Sequence, residues 1–429
     1  MSDVSNGAAD AGGGARIKTL PNGVRVLSER MPSATSVALG VWIRAGSRDE
    51  RDERAGITHL MEHMLFKGTP DRDALKIAQE FEGIGAQENA ATGEEYTMLF
   101  ARFLPEHLGK ATEIMSDMIR RPTMADLERE REVIVEEIGM YEDRPDQMAD
   151  EYLASLVFHG DGLGKSIIGS AETVRGVDHD TLMDFHGKTY NASNVFVVAA
   201  GNLDPEELEK LAEERFGELP EGESSPRNSK IVSPESRFFY KEKDTEQYHV
   251  ALGSLGLPAK SEDRYAMAAL NSMLGGGMSS RLFQEVREKR GLAYAIFSFH
   301  EGFSDAGANK IYVGSTTGNV EEAVKVIAEQ LQAIQEEPIG EEELMRTREV
   351  LKSQTLMALE NTSARMTRMG RSVITGSELL TPEEISRRIE AVTAEDIQRL
   401  AREHLRLERM YLSAVGPQEL DLGKYLNTN

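Results

Sequence analysis

Between Leu219 and Ser236 the chain loses apolar periodicity and concentrates Pro, Gly, Ser and charge, in the run L-P-E-G-E-S-S-P-R-N-S-K-I-V-S-P-E-S. A stretch of that composition has little to bury and reads as a linker. The whole chain has 429 residues, more than a single core usually holds, so two domains are expected, 16–218 and 237–429, joined by 219–236. The two sides follow a similar plan. The first opens with apolar runs typical of strands at Val24–Ser28 and Ser36–Ile43, followed by a helical segment around His59. The second opens with Phe238–Tyr240 and Tyr248–Gly253, followed by a helical pattern from Asp263 to Leu274. Each side ends in a helix and a late apolar stretch, Val195–Ala200 and Met410–Val415. Amphipathic helices are expected at Glu106–Arg120, Pro205–Phe216, Val320–Glu336, Glu341–Leu359 and Pro382–Leu405. This mixed order predicts an α+β fold of two similar domains, each a mainly antiparallel sheet with helices packed on one face.

Apolar residues make up 40% and charged residues 28%, and no apolar run approaches the roughly 18 residues of a membrane span, so a soluble globular chain is expected. Met1 to Ala15 are small, polar and glycine-rich, with neither the basic nor the apolar region of a signal peptide; 1–15 reads as a disordered tail, and the cytoplasm is the default compartment. A formal charge of -24 argues against nucleic acid or an anionic membrane as a partner. It favours neutral or basic ligands, including basic peptides, although plain solubility explains it equally well. With no cysteine in the chain, disulfides and thiolate metal sites are excluded, and any bound metal must use His, Asp or Glu.

Against that limit the run His59-Leu60-Met61-Glu62-His63 stands out. Positions i, i+3 and i+4 stack on one side of a helix, so both imidazoles and the carboxylate share a face. Two histidines one turn apart can each present a ring nitrogen to a tetrahedral Zn²⁺. Glu62, beside them and too close to be a relaxed third ligand, is placed to take a proton from water. H-x-x-E-H is the order of the inverted zincins. The plainer alternative is a core helix that happens to carry histidines. Leu60, Met61, Met64, Leu65 and Phe66 make this helix apolar almost all round, with Gly68-Thr69-Pro70 predicted to end it. Two histidines and a glutamate in such a setting are costly unless something pairs with them.

A catalytic zinc usually takes three protein ligands, and here the third must be a carboxylate on an apolar face. Asp126 to Tyr141 reads as a helix whose inward stripe runs Leu127, Glu130, Ile134, Glu137, Ile138, Tyr141. Glu130 and Glu137 sit in that stripe, while Glu128, Glu132 and Glu136 fall on solvated faces. For either inward glutamate alone, an ion pair to Lys or Arg is the favoured reading.

The stretch A-G-I-T-H-L-M-E-H-M-L-F-K-G-T (Ala55 to Thr69), with E-R-E-V-I-V-E-E-I at Glu130 to Ile138, resembles the insulinase and pitrilysin family of zinc peptidases. The resemblance covers most of the chain from about Arg16 onward. It implies that His59, His63 and Glu137 hold one Zn²⁺ per chain, that Glu130 supports the site, and that Glu62 is the catalytic base. It extends to R-L-F-Q-E-V-R-E-K-R-G-L-A-Y at Arg281 to Tyr294, where Arg287 and Tyr294 match a substrate-binding pair. A guanidinium and a phenol can hold a substrate carbonyl and stabilise the oxyanion formed on attack. Gly85 to Thr92 resembles an edge strand that takes substrate as an added β-strand, with Asn89 and Ala90 at the matching positions.

The resemblance implies a zinc endopeptidase acting on peptides in a closed chamber. At this length the chain is similar to one two-domain half of a clamshell, as in the mitochondrial processing peptidase and its bacterial relatives. A homodimer is therefore expected, a heterodimer with a related subunit being the variant. The competing expectations are a non-catalytic assembly subunit and a peptide-binding scaffold with structural zinc. Gly275-Gly276-Gly277 lacks the lysine and spacing of a phosphate loop and reads as a turn.

Overall fold

A computed structural model describes residues 9–10, 14–224 and 226–427. Most of the tail expected over 1–15 lies outside the described residues. Ala15, at its end, is buried and already begins a strand. Among the described residues, no helix is long and apolar enough to cross a membrane.

The chain forms two compact units. The first comprises the residues up to Ile138 with Ser166–Pro226 and Met357–Pro382. Its strands are β1 (Ala9–Asp10), β2 (Ala15–Thr19), β3 (Arg25–Arg30), β4 (Val37–Ile43), β5 (Gly68–Thr69), β6 (Arg72–Asp73), β7 (Gln87–Thr92), β8 (Thr97–Phe103) and β9 (Val195–Gly201). β5 and β6 form a short hairpin, and the others join in one sheet of order β1-β2-β3-β9-β4-β8-β7. All its pairings are antiparallel except β3 with β9. The sequences V-A-L-G-V-W-I of β4 and V-F-V-V-A-A-G of β9 are apolar without alternation, and every residue of both is buried. Such runs require cover on both sheet faces.

On one face Leu39, Val41 and Val197 pack with Leu60 and Met61 of helix Ile57–Leu65, Ile114 and Met115 of helix Leu108–Arg120, and Leu208 of helix Pro205–Phe216. On the other, Ala38, Trp42, Phe196 and Val198 pack with Met366 and Met369 of helix Thr362–Thr375. The Trp42 indole donates to Met366 Sδ at 3.4 Å. The helix approaches so closely that a Cβ on Gly370 would lie 2.2 Å from the Trp42 ring, which only glycine permits.

The second unit comprises Gly139–Lys165, Arg227–Leu356 and Glu383–Asn429. Its strands β10 (Phe238–Glu242), β11 (Tyr248–Leu255), β12 (Ala293–Gly302), β13 (Gly307–Ser315) and β14 (Tyr411–Gly416) order as β10-β14-β11-β13-β12, with β10 and β14 parallel. Helices Arg264–Gly275, Val320–Glu336 and Ala394–His404 build the main core against one face. Helix Pro145–Val157 covers the other, setting Ala149, Leu153 and Val157 on Ala251, Ala308 and Val415. Buried Lys310 on β13 pins that helix through Asp150 at 3.0 Å and meets Glu301 at 3.1 Å. A lysine so enclosed stays charged because two carboxylates replace its hydration.

The α+β architecture is as expected, but each sheet's second face is also covered. The segments that do this, 139–165 and 357–382, group with the unit on the far side of 219–236 in sequence. A division at the linker alone therefore differs from the compact units by this exchange. The span Pro382–Leu405 is two helices, Pro382–Glu390 and Ala394–His404, because Thr393 and Asp396 form a capping box that starts the second.

Candidate metal centre

The motif helix begins where Gly56, at φ +90°, turns the chain in; a Cβ there would sit 2.5 Å from the Ile168 carbonyl oxygen. Buried Glu50 accepts from the Gly56 and Thr58 backbone N–H groups, each at 2.8 Å, and so satisfies donors that the first turn leaves over. The helix ends earlier than Gly68 suggests. Phe66 closes it by donating to the His63 carbonyl, and Gly68, at φ +140°, belongs to the following hairpin. Leu60, Met61, Met64 and Leu65 are fully buried, which fixes the helix's rotation and turns His59, Glu62 and His63 the same way.

The second contributor is helix Leu127–Glu142, where Leu127, Glu130 and Ile134 are buried and Ile138 packs on the same core. Tyr141, expected on the inward stripe, is exposed, and from Gly139 onward the helix belongs to the second unit. Glu137 Oε2 lies 3.8 Å from His59 Nε2 and 3.6 Å from His63 Nε2. These separations exceed a good hydrogen bond, so the three groups surround a common point rather than bonding one another. Donors bound tetrahedrally at about 2.0–2.1 Å stand roughly 3.3–3.4 Å apart, close to what is found here. Among the described residues, this trio is the one group of three or more such side chains placed to hold a metal ion, its donor atoms all within 4.8 Å of one another. Two imidazoles and a carboxylate without thiolate suit Zn²⁺. The residues present therefore fit the ion.

The surroundings favour that fit. Burial, and then the neighbouring His63 ring, holds the His59 pKa down to about 4, so the imidazole is neutral and its lone pair free near pH 7. His63 Nδ1 meets Glu130 Oε2 at 3.4 Å, an arrangement that fixes the ring and leaves Nε2 for a metal. Glu130, buried, also pairs with Lys67 at 2.8 Å. Glu130 thus has the lysine partner a buried carboxylate needs and also touches a histidine of the trio.

Glu62 is not one of the trio. Burial raises its proton affinity above the ordinary carboxylate range, with a smaller push from Glu137 and opposing contributions from Thr92 and His63. The Thr92 hydroxyl donates to Glu62 Oε2 at 2.5 Å. On β7, the edge strand of the sheet, Asn89 is exposed and Ala90 half-buried. In the second unit Arg287 and Tyr294 come together. The guanidinium lies 4.4 Å from the Tyr294 ring and 4.8 Å from the Phe283 ring, and Nη1 donates to the Tyr294 carbonyl at 2.7 Å. Tyr294 falls in a register shift between Ala293 and Ala295 and is 77% exposed, as a bulge that re-aims a side chain would leave it.

Residues 25–171 match the family described as insulinase (peptidase family M16), and residues 176–351 match the peptidase M16 inactive domain. An uncharacterized zinc protease of Streptomyces coelicolor is 37% identical over 414 residues, covering 94% of this chain and 90% of that protein. The chain belongs to the insulinase family, peptidase family M16. An uncharacterized zinc protease of Bacillus subtilis is 36% identical, covering 93% of this chain and 97% of its own length. A Helicobacter pylori protease structure has the same fold, with TM-score 0.88, 22% identity, and coverage of 94% of this chain and 99% of that one. Within this M16 chain the two matched stretches meet between residues 171 and 176, ahead of the 219–236 linker. The first carries H-x-x-E-H and Glu137, and the second carries Arg287 and Tyr294.

Two contributors to the site were missed in sequence. Thr92 lies inside the edge-strand stretch with no local feature to set it apart, and Glu50 carries no motif at all. An acidic residue six positions before a glycine-led helix start is a weak signal for such a cap.

Proposed function

We propose that this M16 chain is a zinc endopeptidase hydrolysing short or unfolded peptides, with basic presequence-like peptides favoured by its acidic charge. The observation that carries the reading is the convergence of His59, His63 and Glu137 beside a half-buried carboxylate that is not one of them. His59, His63 and Glu137 would hold Zn²⁺, which when bound lowers the pKa of water and polarises a carbonyl. Glu62 takes the proton from the attacking water and returns it to the leaving amine, so one carboxylate serves as base and then acid. Asn89 and Ala90 on β7 receive the peptide as an added strand, an arrangement that draws affinity from backbone hydrogen bonds. Arg287 and Tyr294 are assigned to binding the peptide, a guanidinium beside a phenol being suited to hold a carbonyl.

The test joins metal analysis to a random peptide pool. About one zinc per chain and cleavage of pool peptides are expected. Activity should be lost on chelation and regained on adding zinc. Zinc binding without any cleavage would leave the assembly-subunit or scaffold reading in its place. We further propose a homodimer whose chambers are completed by the second copy. Sedimentation of active protein should then give a species of twice the 47.5 kDa chain mass, and a fully active monomer counts against it.

A further inference from the structure

We propose that Thr92 positions Glu62: its hydroxyl fixes one carboxylate oxygen so that the other meets the attacking water. This inference rests on the peptidase reading and goes beyond it by assigning a role to the last residue of the edge strand.

The geometry is specific. A threonine hydroxyl has one hydrogen, and facing a carboxylate it donates that hydrogen; Thr92 does so to Glu62 Oε2 at 2.5 Å. Oε1 has no hydrogen-bond partner among the described residues. Thr92 itself has little freedom. Its β-branched side chain is stiff about χ1, and its backbone pairs with Thr97 of β8, whose hydroxyl donates to the Ala45 carbonyl at 3.0 Å. Side chains alternate along a strand, so Thr92 shares a face with Ala90, which packs against the core that includes the motif helix. Ala91 packs on the opposite core. The pleat of β7 thus directs Thr92, and not its neighbours, at Glu62.

The consequence is chemical. When water attacks the scissile carbonyl, its O–H bond breaks and the proton passes to Glu62 Oε1; Thr92 keeps its own proton throughout. A carboxylate free to rotate would offer either oxygen at poor angles, and a held one offers a single lone pair in a fixed direction. Because Thr92 ends the strand proposed to receive substrate, the base and the peptide are referenced to the same piece of backbone.

The test compares Thr92→Val, of similar shape without the hydroxyl, and Thr92→Ser, which keeps it, in the full zinc-loaded chain. Thr92→Val should lower kcat by about 10–100-fold with KM changed less than about twofold, the loss of one charge-assisted hydrogen bond used in the transition state. Thr92→Ser should recover most of kcat. Zinc content should be equal in all three, and an uncleaved peptide should bind Glu62→Gln with and without Thr92→Val equally well. An active wild type with an equally active Thr92→Val overturns this inference alone, as does a loss of kcat matched by lost zinc or lost peptide binding. An inert wild type overturns the peptidase reading and this inference with it.

Discussion

Glu62→Gln should lower kcat at least about 10³-fold while the protein keeps its zinc, its fold and its affinity for peptide. The substitution exchanges one oxygen for an amide nitrogen of nearly the same size, so packing against the motif helix is retained. The amide oxygen can still accept from the Thr92 hydroxyl that now meets Glu62 at 2.5 Å. What disappears is the basic lone pair. In the present structure burial makes that carboxylate a stronger base than an exposed one, so its removal takes away a group tuned to accept a proton. A thousandfold loss corresponds to about 4 kcal/mol of transition-state stabilisation, more than one lost hydrogen bond would account for. Glu62 lies outside the donor trio, so metal content should not follow activity down. A variant retaining a tenth of wild-type kcat would remove Glu62 from the chemistry, and one that loses its zinc would mean that it acts through the metal site instead.

Much of this centre was legible because helical periodicity fixes which residues share a face. The grouping of His59, Glu62 and His63 needs only the spacing of one helix, and that of Glu130 and Glu137 only the spacing of another. That the two helices face each other is a tertiary fact, and there the family resemblance supplied what periodicity could not. The limits have the same origin. The apolar stripes of helices Pro145–Val157 and Thr362–Thr375 show that each is covered, yet nothing local states which sheet does the covering. Both lie on the sheet of the other sequence half, where a cut at the linker would not place them. Thr92 is not legible in the sequence because its contact is with a carboxylate thirty residues away. Tyr141 departs from the expected inward stripe: it is exposed, and the helix passes into the second unit at Gly139.

Glu137→Gln should abolish stable zinc binding, and comparison with Glu130→Gln separates holding the metal from supporting it. Glu137 Oε2 is the atom that both His59 Nε2 and His63 Nε2 approach, at 3.8 and 3.6 Å, and a neutral amide oxygen there offers a far weaker ligand to a divalent cation. Glu130 meets the trio only through His63 Nδ1 at 3.4 Å. Its loss should cost the roughly 10–100-fold in affinity typical of a partner that orients a ligand, and Glu137→Gln should cost clearly more. Competition with a chromophoric zinc chelator measures both. Glu130 also holds Lys67 at 2.8 Å, so part of its effect could come from a lysine left unpaired. Lys67→Met alone resolves this, since it removes the ion pair and spares the histidine contact. If Lys67→Met lowers zinc affinity as much as Glu130→Gln does, Glu130 acts through the ion pair. If it leaves affinity near wild type, Glu130 acts by holding the His63 ring. Unchanged zinc affinity in Glu137→Gln would remove the third ligand, and two histidines alone would not hold a catalytic ion.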